Sequence, residues 1–94
     1  MMELMQPAEE SNLIHLLDEL HSWPGLYAFK FIVPQASAEA LREALPEAEK
    51  VEERVSSGGK YTAFTFHVPM GSGSEVLEVY ARVRDCRIPG LISL

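Results

Sequence analysis

The sequence predicts a single α+β domain with a ferredoxin-like βαββαβ core, and three features of the 94 residues lead there. Apolar residues alternate with a period of two in several short runs, a glycine pair separates two of those runs, and capped amphipathic segments lie between the others. A chain of this length encloses one core, so residues 1–94 form one unit, with a helical arm over 1–22 and the core over 23–94.

Taken in order, the arm carries Leu13, Leu16, Leu17 and Leu20 at helical spacing and ends before Trp23-Pro24, which predicts a helix packed on the domain. The first strand follows. Tyr27, Phe29, Phe31 and Val33 point to one face, Ala28, Lys30 and Ile32 to the other, and Pro34 stops the run. A short helix over 37–45 starts at Ser37 as N-cap, turns Leu41, Ala44 and Leu45 inward and ends at Pro46.

The stretch from Val51 to Val68 reads as a hairpin with a two-residue turn at Gly58-Gly59, because primed turns need positive φ and glycine takes it without steric cost. Counting outward from that turn sets Val55 opposite Thr62, Arg54 opposite Ala63, Glu53 opposite Phe64, Glu52 opposite Thr65 and Val51 opposite Phe66. Opposed residues share a face. Val51, Val55, Phe64, Phe66 and Val68 are therefore expected in the core, and Glu52, Arg54, Tyr61, Thr65 and His67 on the other face. Glu53 falls among the inward set, which suits a strand at the sheet edge.

A second helix over 72–85 begins with the capping box Ser72 and Glu75 and repeats Val76, Val79, Tyr80 and Val83 inward. A short strand near 90–94 closes the pattern. Two right-handed crossovers then place both helices on one face of an antiparallel sheet of order 4-1-3-2, and the opposite face is left bare.

Composition narrows the function. The net charge of -6 works against nucleic-acid partners, whose affinity comes from lysine and arginine displacing counterions. A lone Cys86 excludes an internal disulfide and CxxC chemistry. No run is long enough to span a membrane, and the first residues lack the basic flank and apolar stretch of a signal peptide, so the expected address is the cytoplasm.

No motif argues for catalysis or a cofactor. Gly59-Lys60 lacks the earlier glycine, the following Ser or Thr and the helix of a phosphate loop. Glycines 71 and 73 with Ser72 and Ser74 read as capping, since Glu75 and Glu78 already place negative charge at that helix start. His15 and His21 lie about 120° apart on their helix and cannot share a metal with Asp18. His67 has no nucleophile at a recognisable spacing. The RNA-recognition motif shares this topology, and Tyr61 occupies one stacking position, but Ala63 occupies the next and the first strand exposes no aromatic.

Trp23-Pro24, Tyr27 to Lys30, the hairpin from Ser56 to Tyr61 and Val79-Tyr80 occur in an order that resembles the YbeD-like family of small bacterial domains of unknown function. The resemblance runs from about Leu13 to Leu94, and the chain departs from the family pattern at Gly58 and Ala63. It implies the βαββαβ fold, a likeness to ACT-type regulatory domains and no established activity. The residues themselves place Lys30, Ser56, Tyr61 and His67 on the bare sheet face. The expected function is thus a non-catalytic accessory or regulatory module that binds a protein partner or small metabolite there, as a monomer or weak homodimer. Single-stranded RNA binding is the alternative.

Overall fold

The computed structural model describes residues 7–94, with side chains from residue 10 onward. The beginning of the arm, residues 1–6, lies outside the described residues. The elements run α1 (Pro7–Leu20), β1 (Gly25–Pro34), a 3-10 turn (Gln35–Ser37), α2 (Ala38–Ala44), β2 (Lys50–Val55), β3 (Tyr61–Met70), α3 (Gly73–Asp85) and β4 (Ile92–Ser93). The strands form one antiparallel sheet in the order β2-β3-β1-β4. This is the expected order seen from its other end. No helix is long and apolar enough to cross a membrane among the described residues.

Alternation in β1 and β3 decides which face is covered. Phe29, Phe31 and Val33 are buried on β1, as are Phe64, Phe66 and Val68 on β3. They meet Leu41 and Leu45 from α2 and Val76, Val79 and Val83 from α3, so both helices lie on one side of the sheet. Each fully buried side chain of this size contributes about 1.5–3 kcal/mol of transfer free energy, which makes the row of phenylalanines the main reason this face is closed. Phe64 and Phe66 stack with ring centroids 5.3 Å apart.

The hairpin register is as expected from Val51 opposite Phe66 to Val55 opposite Thr62, but its turn differs. Ser56 N–H donates to Tyr61 O at 2.8 Å, Gly59 N–H donates to Ser56 O at 2.9 Å, and Gly59 has φ of 74° where Gly58 is not at positive φ. The connection is therefore a four-residue loop, Ser57 to Lys60, and not a two-residue primed turn. Both arrangements have the same centre of symmetry, between Gly58 and Gly59, which is why the register is unaffected.

Val51 and Val55 are 42% and 55% exposed, against the expectation that they join the core. They do point inward, but α2 and α3 lie over β1 and β3 and stop short of the edge strand. The inward carboxylate of Glu53 is instead met by Arg42 of α2, whose Nε and Nη2 donate to its two oxygens at 2.9 and 2.8 Å. That guanidinium also sits 5.4 Å from the centroid of the Phe64 ring.

Two caps differ in outcome. Ser72 starts α3 as expected, its Oγ accepting from Glu75 N–H at 3.2 Å, while Glu75 Oε1 accepts from Gly71 N–H at 2.9 Å. Ser37 makes no cap to α2 and donates its hydroxyl proton to Pro89 O at 2.8 Å, tying the segment before β4 to the start of α2. Position 37 closes a 3-10 turn, and that geometry aims its side chain away from the α2 amides.

On α1, Leu17 is buried and Leu13 half-buried, whereas Leu16 and Leu20 face solvent, so only part of the expected stripe docks. It docks on α3. Asp18 Oδ1 accepts from Gly73 N–H at 2.9 Å and from Trp23 Nε1–H at 2.8 Å, joining α1, the entry to β1 and the first amide of α3 through one carboxylate.

Candidate functional site

The register fixes which side chains share the face that the helices leave open. In one row Ala28 lies beside His67 and His67 beside Lys50; in the next Lys30 lies beside Thr65 and Thr65 beside Glu52. The third row crosses all four strands, Ile92, Ile32, Ala63 and Arg54. Pro34 and Tyr61 begin the fourth, which Ser56 closes at the hairpin loop.

Lys30, Ser56, Tyr61 and His67 thus all belong to this side, but they do not converge on one point. Tyr61 and His67 stand six residues apart on β3, on the order of 20 Å at the usual rise of a strand. Lys30 and His67 lie at one end of the face with Glu52. Ser56 and Tyr61 lie at the hairpin end, and the Ser56 hydroxyl is engaged there, its Oγ accepting from Tyr61 N–H at 3.2 Å. Tyr61 is 46% exposed.

At the first end, His67 Nε2 lies 2.7 Å from Glu52 Oε2. A carboxylate only accepts, so the proton of this bond is on Nε2. Lys50 Nζ is 3.9 Å from the same oxygen. The bond from His67, and next the charge of Lys50, hold the Glu52 carboxyl below its ordinary range. His67 is thereby occupied as the partner of a carboxylate.

Between the two ends, Ile32, Ala63 and Tyr61 line a shallow depression of about 380 Å³, flanked by Arg54, Ser56 and Ser57 and open to solvent along one side; the chain at Val55 borders it, but that side chain belongs to the inward face. Ile92 extends its apolar floor across β1 to the sheet edge and is 51% exposed. Such a surface accepts an apolar side chain but is too open to enclose most of a small molecule, as metabolite sites do.

Charge is unevenly distributed. The open face carries Lys30, Lys50 and Arg54 against the single carboxylate of Glu52, and Glu52 is compensated by His67 and Lys50. Among the described residues the other acidic side chains lie on the helices, in the loops or, for Glu53, on the inward face. Lys30, Arg54 and the hairpin residue Lys60 have no carboxylate within 4.0 Å among the described residues. A chain of net charge -6 therefore presents a basic sheet face.

Arg54 lies on this face as the hairpin count predicts but is not one of the four residues singled out there, and Lys50 and Ile92 are not foreseen on it. The signal for Lys50 was there: the count that puts Arg54 opposite Ala63 puts Lys50 opposite His67 one pair beyond Val51. Ile92 depends on where β4 joins the sheet, which no local pattern fixes. Tyr61 is the aromatic that the open face offers among the described residues, since Phe29, Phe31, Phe64 and Phe66 are all buried on the other side. Among the described residues no group of three His, Cys, Asp or Glu side chains could hold a metal ion.

A family model described as protein of unknown function DUF493 matches residues 18–88, and the chain belongs to that family. No curated protein and no solved structure matches the chain. The family match begins at Asp18, the residue that joins α1 to α3, and ends before β4.

Proposed function

We propose that this member of the family is a non-catalytic binding module whose open sheet face docks a protein partner, in an accessory or regulatory role. The observation that carries the reading is the basic face on an acidic chain: Lys30, Lys50 and Arg54 share one sheet face with a depression floored by Ile32 and Ala63, and no helix among the described residues covers it. Complementary charge of this kind steers encounter and selects partners. An apolar floor supplies the contact that holds them. The order βαββαβ with both helices on one face is taken as ferredoxin-like, and the likeness to ACT-type regulatory domains belongs to the same proposal.

The test is native mass spectrometry of the protein purified from its own host. The wild type is expected to carry a stoichiometric partner that the Lys30→Glu, Arg54→Glu double variant loses, while Arg84→Glu, on the exposed side of α3, keeps it. Equal retention by both variants would place the contact elsewhere and refute the reading.

A further inference from the structure

The geometry points to the chemistry of the partner: an extended acidic polypeptide segment that seats one apolar side chain in the depression formed by Ile32, Ala63 and Tyr61. This rests on the proposed docking role of the open face. Three features select this occupant. Among the described residues Lys30, Arg54 and Lys60 have no carboxylate within 4.0 Å; Arg54 borders the depression, Lys30 lies one row along the same face and Lys60 precedes Tyr61 in the hairpin loop, so an acidic segment laid along this face meets positive charge on either side of a seated apolar residue. The floor is apolar across three strands, Ile92 and Ile32 beside Ala63, which gives a bare polyanion nothing to bury. Tyr61, the one aromatic of this face among the described residues, lies at the rim of the depression and its neighbouring row holds no second ring, so consecutive nucleobases have no stack of platforms.

An acidic segment of the described residues is a poor occupant. Apart from Glu52, paired with His67, and the inward Glu53, the acidic residues of the described chain are held in α1, α2 and α3 or in the loop that follows α2. A guanidinium beside an apolar pocket is the arrangement that reads a carboxylate adjacent to a large aliphatic side chain, because the planar fork takes both oxygens while the pocket takes the side chain.

Fluorescence anisotropy with labelled probes tests this. The first probe is a short peptide of alternating glutamate and leucine, the second has serine for every leucine, the third lysine for every glutamate, and the fourth is an oligouridylate of similar length. Binding of the first probe is expected, weakened about tenfold by Arg54→Glu, weakened also by Ala63→Glu, which fills the depression, and unchanged by Arg84→Glu. The serine and lysine peptides are expected to bind weakly or not at all. Circular dichroism confirms that each variant is folded.

Equal binding of the glutamate–leucine and glutamate–serine peptides would overturn the inference, since the depression would then contribute nothing. Retention of oligouridylate in preference to the peptide, sensitive to Arg54→Glu, would overturn it in favour of nucleic acid and leave the open face as the docking surface. Binding of the peptide that survives Arg54→Glu and Ala63→Glu but is lost on Arg84→Glu would overturn both readings. Absence of binding by every probe would overturn the inference alone, because the host-purification experiment judges the face independently.

Discussion

A carboxylate on the inward side of a sheet is costly unless a cation answers it, and Glu53 is kept there by Arg42. The hydrogen bond from the guanidinium, opposed by partial burial and reinforced by charge, holds the Glu53 carboxyl below its ordinary range. Glu47 is held low too: burial pushes it up, but the hydrogen bond from Arg82 and the charge behind it outweigh burial. A carboxyl whose folded pKa is depressed contributes stability that is fully present above its unfolded value and is lost as pH falls through the folded one. Urea midpoints are therefore expected to fall below about pH 4, and to fall less steeply in Arg42→Gln, where the Glu53 contribution is absent. A variant with the wild-type slope would show that the pair does not couple to folding. Phe64, buried beneath that guanidinium, is a stronger constraint: Phe64→Ala is expected to cost about 3–5 kcal/mol in urea unfolding, by removing a ring whose cavity the neighbouring Phe66 cannot fill. That Glu53 points inward was legible from the hairpin count. That Arg42 answers it was not, because the contact depends on where a seven-residue helix crosses the sheet and not on any local spacing.

The two longest helices, α1 and α3, meet at a closed contact. A Cβ on Gly73 would come within 2.9 Å of Leu17 Cβ and 3.0 Å of Ile14 O, so glycine is required for the two helices to approach. Gly73→Ala is expected to destabilise the protein by about 1–3 kcal/mol, the usual cost of overpacking a closed contact. Asp18→Ala is expected to cost about 1 kcal/mol, the scale of a lost helix cap, and to move the Trp23 emission maximum as the indole loses its acceptor. Asp18→Asn, which keeps an acceptor oxygen, should restore part of both. Trp23 emission unchanged in Asp18→Ala would show that this carboxylate does not hold α1 in place. The sequence displayed each element here separately. The capping box of α3 and the leucines of α1 are local patterns, whereas Asp18, set beside His15 and His21 on its own helix, shows nothing of a partner 55 residues away. The same limit accounts for Ser37, whose hydroxyl serves Pro89 rather than its own helix, and for Val51 and Val55, which alternate as core residues but lie beyond the reach of the helices.

At the scale of the molecule, the fold turns an acidic sequence into one with two unlike sides. Among the described residues the helices and their loops hold every side-chain carboxylate but Glu52 and Glu53, and the uncovered sheet face carries Lys30, Lys50 and Arg54 beside an apolar row. Net charge alone argued against anionic partners, and that argument fails locally because β-strand alternation sorts charges that composition averages together. The four residues singled out from the sequence lie on the predicted side, yet spread over its length, so the proposed contact surface is a strip along β3 and its neighbours and not a pocket. The most direct test is a map of backbone amide shifts on titration with the glutamate–leucine peptide. Shifts concentrated at Lys30, Ile32, Arg54, Tyr61 and Ala63, with α3 silent, are the expected result; shifts concentrated on α2 and α3 would contradict it.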